Sequence, residues 1–124
     1  MEWQFRNDSP IYTQLTQRLT QAIVAGEFRP GERLPSVREL AVEAGVNPNT
    51  VQRAFAELER EGYLYSQRTT GRYVTEDRQK LSSLRIGLGR KYIKELFDRL
   101  SGLGLSTDDI VRACDAYAKE EKNA

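Results

Sequence analysis

The chain has no histidine and one cysteine in 124 residues, and neither sign of charge dominates it. Without histidine, a general base that titrates near neutral pH is missing, as is imidazole ligation of a metal. A single cysteine excludes an intramolecular disulfide. There is no apolar run long enough to cross a bilayer, and the first residues lack the apolar stretch of a secretory leader, so the expected compartment is the cytoplasm. Neither a G-x-x-x-x-G-K-[ST] phosphate loop nor a G-x-S-x-G nucleophile turn occurs. An enzyme is therefore not expected, nor is a metal site or a cofactor. Residues 1–75 carry nine arginines, no lysine and nine acids, while residues 76–124 carry ten bases against nine acids. A uniformly basic surface is excluded, and any nucleic-acid contact must come from arginines segregated on one face.

What is present is clearest between Arg33 and Leu64. Ser36 followed by Glu39 forms an S-x-x-E capping box, Val37, Leu40 and Ala41 give the next turns a buried face, and Gly45 supplies a left-handed stop. A second helix starts almost at once, with Asn47 as N-cap and Pro48 at the first helical position. Val51, Ala54, Phe55 and Leu58 recur at i, i+3, i+4 and i+7 before Gly62 ends the run. Two capped helices with a tight turn fit a packing hairpin as well as a helix-turn-helix. The residues after Gly62 separate the two. Leu64–Gln67 reads as a strand, Arg68–Gly71 as a turn and Arg72–Thr75 as a returning strand, which makes a winged helix.

Before this unit, Trp3 and Phe5 alternate with polar residues as an extended anchor. Ser9-Pro10 resembles an N-cap with a first-position proline, and Ile11, Leu15, Leu19, Ala22 and Ile23 form a helical stripe that stops at Gly26. Phe28–Leu34 is read as a loop around the Pro30-Gly31 turn pair. After the wing, Leu81, Leu84, Leu88, Tyr92, Leu96 and Leu100 define a helix of about 25 residues. Gly87 and Gly89 inside it signal a kink, a break or a close helix approach. Ser106 and Asp109 start a last helix with the stripe Ile110, Cys114 and Tyr117.

The segments P-G-E-R-L-P-S-V-R-E-L-A (Pro30–Ala41), V-N-P-N-T-V-Q-R-A (Val46–Ala54) and L-E-R-E-G-Y-L (Leu58–Leu64) resemble the DNA-binding domain of GntR-family bacterial transcription regulators. The short remainder resembles the YtrA subfamily, in which a two-helix dimerisation tail replaces a large effector domain. The resemblance implies a mainly α fold with a small β-hairpin: a winged helix-turn-helix over residues 1–75 and a helical dimerisation hairpin over 76–124. It implies double-stranded DNA and a second copy as partners, and regulation of nearby transporter genes. It also places Arg38, Asn47, Asn49, Thr50 and Gln52 at DNA-contact positions, with Arg68 and Gly71 at the wing tip. Relatives often carry arginine where this chain has Pro48 and Gln52, and a glycine-rich wing tip where it has R-T-T-G-R, so their operator sequence does not transfer.

Read from the residues themselves, the first turns of the second helix present Asn47, Pro48, Asn49, Thr50, Gln52 and Arg53. Gln52 is the first choice for a base contact, since glutamine pairs bidentately with adenine. Asn49 and Thr50 suit phosphate, aided by the helix dipole. Arg38, Arg53, Arg68 and Arg72 are expected to face phosphates, and Arg33 is either a phosphate ligand or a solvated loop charge. In the tail, Leu84, Leu88, Tyr92, Leu96, Leu100, Ile110, Cys114 and Tyr117 are expected to meet a second copy, the alternative being that the tail folds back on its own winged helix. A repressor acting as a dimer on a palindromic operator is the expected function. The alternatives are a winged-helix module that binds protein and a regulator with a small effector near Tyr92, Cys114 and Tyr117.

Overall fold

In the computed structural model, which describes residues 1–124, five helices and one hairpin follow in the order α1 (Ile11–Ala25), α2 (Val37–Ala44), α3 (Pro48–Arg60), β1 (Leu64–Gln67), β2 (Gly71–Val74), α4 (Arg78–Gly102) and α5 (Thr107–Lys122). The chain divides into two compact units, Met1–Arg85 and Ile86–Ala124. This is the mainly α, small-hairpin architecture expected of a winged helix-turn-helix with helices after it. The first unit runs past the expected limit at residue 75 because Leu81 is buried in its core and Leu84 packs against it.

In the first unit, Leu15, Leu19 and Ile23 of α1, Leu40 of α2, and Val51, Phe55 and Leu58 of α3 meet Leu34, Leu64 and Val74 in one core. Both helix-turn-helix starts are capped as the sequence indicates. Ser36 Oγ accepts the Glu39 N–H at 3.1 Å, and the Glu39 carboxylate accepts the Ser36 N–H at 3.2 Å. Gly45 ends α2 at φ 69°, where a side chain would be strained. Asn47 Oδ1 accepts the Asn49 N–H at 2.8 Å and so starts α3.

Two local expectations change, and one open alternative, a break in α4, closes. Ser9 does not cap α1: Pro10 stands at the N-cap position with no side-chain hydrogen bond. The neighbouring chain is held instead by buried Gln14, whose Oε1 accepts the Arg6 N–H at 2.7 Å and whose Nε2 donates to the Arg6 and Ser9 carbonyls at 2.8 and 3.0 Å. A buried amide with both ends satisfied replaces the cap. The end of the expected Phe28–Leu34 loop runs beside β2 and joins it through a single antiparallel bridge, Arg33 to Tyr73, outside the two-stranded sheet. The Leu34 N–H donates to the Arg72 carbonyl and the Val74 N–H to the Glu32 carbonyl, each at 2.9 Å. Finally, α4 passes through Gly87 and Gly89 unbroken.

In the hairpin, Leu64 pairs with Val74, Tyr65 with Tyr73, Ser66 with Arg72 and Gln67 with Gly71. The two tyrosine rings stack with centroids 5.7 Å apart. At the tip Thr69 has φ 68°, a strained conformation for a β-branched residue. Arg85 Nε donates to the Val24 carbonyl at 2.9 Å, tying the start of α4 to the end of α1.

In the second unit, α4 ends in a turn where the Leu105 N–H donates to the Leu100 carbonyl at 3.2 Å. Ser106 and Asp109 then form a reciprocal capping box for α5. Ile110 is fully buried, but every residue of α5 after it is exposed. No helix is long and apolar enough to cross a membrane.

Candidate nucleic-acid interface

Helix α3 separates its residues sharply by face. Val51, Ala54, Phe55 and Leu58 are buried, while Asn47, Pro48, Asn49, Gln52 and Arg53 are exposed and Thr50 is half-buried. The N-terminal turns thus present amide and guanidinium groups on a helix locked from behind by its core face. Asn47 is partly committed, because its carboxamide oxygen already caps Asn49. The helix start also carries the positive end of the dipole, which favours an anion, while its own N–H groups are already taken, that of Asn49 by Asn47 Oδ1 and those of Thr50 and Val51 by the Asn47 carbonyl.

The arginines of the helix-turn-helix and the wing differ in their surroundings. Arg38 lies exposed in the first turn of α2, beside Glu39. Hydrogen bonds from Ser36 hold the Glu39 carboxyl below the usual glutamate value, so it remains ionised at neutral pH. Arg53 rests on α1, with its guanidinium carbon 3.6 Å from the centre of the Tyr12 ring. That stacking fixes where the charge is presented, a contact invisible from the sequence of α3 alone. Arg68 is exposed at the wing tip. Arg33 lies across the backbone of Gly71: a Cβ placed on that glycine, whose φ is 120°, would come within 3.1 Å of Arg33 Nε. Arg33, Arg38, Arg53 and Arg68 make no ion pair within the chain.

Arg72 behaves differently from the expected phosphate ligand. Its guanidinium turns onto α3, 5.4 Å from the Phe55 ring centre, with Nε 3.8 Å from the Glu59 carboxylate. Sequence reading missed this because Glu59 lies at a solvent position of the helical pattern, and its partner comes from a strand thirteen residues on. No cluster of three or more acidic or cysteine side chains is arranged to hold a metal ion.

Residues 11–74 match the model of the bacterial regulatory proteins of the gntR family. The chain belongs to that family. It is 32% identical over 119 residues to the uncharacterized HTH-type transcriptional regulator YhcF of Bacillus subtilis, covering 96% of this chain and 98% of that protein. It is 46% identical over 72 residues to the HTH-type transcriptional repressor YtrA of the same organism, covering 58% of this chain and 55% of YtrA. Among solved structures, a GntR family transcriptional regulator from Listeria monocytogenes superposes with a TM-score of 0.83 at 36% identity, over 94% of this chain and 98% of that one. The AraR DNA-binding domain in complex with an operator superposes with a TM-score of 0.56 at 28% identity, over 60% of this chain and 96% of that one. These relatives are transcription regulators, not enzymes.

The tail residues expected at a dimer contact fall into three groups. Tyr92, Leu96, Cys114 and Tyr117 are exposed, and Leu88 and Leu100 are half-buried. Leu84 and Ile110 are corrections. Leu84 packs against the core of the first unit, and Ile110 is fully buried in the single chain, so neither lies on an open face. The pattern of leucines alone could not tell which end of α4 the first unit claims. Ile86, Ile93 and Leu103, each more than half exposed, were not among the residues expected there, and Val111, also more than half exposed, was expected only beside the stripe of the last helix. Along α4, Ile86, Ile93 and Leu100 recur every seven residues, as do Gly89 and Leu96, which gives a heptad-spaced seam that stops short of Leu103 in the following turn.

Proposed function

We propose that this gntR-family chain is a repressor that binds an inverted-repeat operator as a homodimer, with one α3 helix per half-site. The observation that carries this reading is the exposed start of α3, where Asn49, Gln52 and Arg53 stand on a helix locked from behind by its buried face. In this reading Gln52 contacts a base edge, Asn49 and Thr50 hold phosphate, and Arg38, Arg53 and Arg68 supply the charge that faces the backbone. Arg33, lying along the wing without an ion pair, joins them. Segregated arginines let a domain of zero net charge bind DNA, with a modest salt dependence as the consequence.

The dimer is supported by the second unit. Ile86, Ile93 and Leu96 on α4, Leu103 in the turn after it, and Val111 and Tyr117 on α5 expose more apolar surface than a short helix pair leaves open without a partner. A twofold pairing through this seam would present two recognition helices to two half-sites of matching symmetry.

The test is selection of bound duplexes from a randomised pool at about 50 mM salt, where phosphate contacts are strong. An enriched inverted repeat is the expected outcome. Enrichment of a single half-site would remove the dimer from the reading. Enrichment of nothing, with binding insensitive to salt, would instead make the winged helix a protein-binding module.

A further inference from the structure

Glu59 touches both strands of the wing at once. Ser66 Oγ donates a hydrogen bond to Glu59 Oε1, and Arg72 Nε lies 3.8 Å from Glu59 Oε2. Ser66 and Arg72 are direct cross-strand partners in the hairpin, so one carboxylate grips a single rung of the ladder. The grip is sheltered: the side chains of Arg72 and Glu59 are 21% and 34% exposed, and Arg72 Nε is buried with no hydrogen-bond partner of its own. Phe55, one turn before Glu59, supplies the ring face beneath the guanidinium.

Glu59 also lies seven residues after Gln52, on the same line of α3 and about 10 Å further along its axis. The side chain proposed to read a base and the side chain that holds the wing therefore sit on one rigid helix face. We infer that Glu59, with Ser66 and Arg72, is a positioning clamp that sets the angle of the wing against the recognition helix, and that Arg72 serves this clamp rather than touching phosphate. The wing tip bearing Arg68 then meets the duplex at a fixed distance from Gln52. The inference rests on the DNA-binding reading above for its consequence, but the clamp itself is a property of the free protein.

The experiment uses the full chain with Glu59→Gln, Glu59→Asp, Arg72→Gln and the Glu59→Gln/Arg72→Gln pair. Backbone 15N relaxation of residues 68–71 is read in the free protein. Affinity and a hydroxyl-radical footprint are read on the selected operator. Each single variant is expected to keep its thermal midpoint but to loosen the wing-tip amides, and to bind the operator about fivefold more weakly, the size of coupling usual between contacting residues. The footprint should lose protection at the wing and keep it at the centre of the half-site. The double variant should be no worse than the weaker single one. Unchanged relaxation in Glu59→Gln and Glu59→Asp would overturn the clamp, as would losses that multiply in the double variant. If the unsubstituted chain enriches no duplex, the DNA-binding reading fails, and the relaxation measurement alone decides the clamp.

Discussion

The two units of this chain spend their apolar residues in opposite ways. In Met1–Arg85, fifteen helical residues of α1, the helix-turn-helix and the wing converge on one core, and Leu15, Leu19, Ala22, Val51, Ala54 and Val74 have no exposed surface at all. In Ile86–Ala124, Ile110 is the one buried residue, while Ile86, Ile93 and Tyr117 remain 62%, 56% and 63% exposed. Both units contain amphipathic helices started by reciprocal capping boxes, Ser36–Glu39 and Ser106–Asp109. Helix signals are thus equally good in each, and what differs is whether the chain supplies its own covering surface. A unit that buries its apolar faces is built to present polar ones, and a unit that leaves them open is built to be covered.

The largest test of that contrast is Phe55→Ala, which removes a fully buried ring from the first unit. It should cost about 3–5 kcal/mol in a urea titration. A loss below about 1 kcal/mol would mean that the core is looser than its burial indicates. In the second unit, Ile93→Asp with Leu96→Asp should leave the winged helix folded and abolish association in sedimentation equilibrium. Operator affinity should fall by about a hundredfold as the second half-site stops contributing. If the doubly substituted chain still dimerises, the exposed seam on α4 is not the contact.

Smaller effects sharpen the division within the surface proposed to face DNA. Gln52→Ala should blur preference at one position of the half-site, at about 1–3 kcal/mol of discrimination. Arg38→Ala should weaken all sequences alike and reduce the salt slope by about one unit. Identical behaviour of the two variants would erase the distinction between base and phosphate contacts.

The smallest prediction compares the two capping boxes by pH. Hydrogen bonds from Ser36 and Ser106 lower the carboxyls of Glu39 and Asp109 from their ordinary values of 4.5 and 3.8. A carboxyl lowered in the folded state stabilises it fully above its unfolded value, and that contribution is lost as pH falls through the lowered folded value. Helix α2 should therefore begin to fray as pH drops below 4.5, and α5 only as it drops below 3.8. Glu39→Gln should flatten the circular-dichroism titration for its own helix only. A profile that rises towards acid would reverse the assignment.

Much of the fold could be read from the residues because its signals are local. A cap, a left-handed glycine and an i, i+3, i+4, i+7 stripe act within one turn or two, and for α2, α3 and α5 they give the observed starts. The exposed face of α3 follows from the same periodicity, since a stripe that is buried defines the one that is not. Local signals failed where a long-range partner decided the outcome. The loop ending at Leu34 gained a bridge to the wing because β2 lay beside it. Ser9 yielded to Gln14 because Arg6 brought carbonyl and N–H groups within reach of the amide.

At the candidate site, chain order alone sets which residue types stand at the start of α3 and at the wing tip. The packing of the folded chain decided where each arginine rests. Arg53 stacks on Tyr12, forty-one positions earlier, Arg33 crosses Gly71, and Arg72 turns inward to Glu59. It likewise decided that Leu84 belongs to the first unit and Ile93 to an open face. The physical reason is common to all of these. Backbone capping and helical period are set by neighbours in the chain, whereas the fate of a long side chain depends on which charge, ring or cavity another segment brings to it.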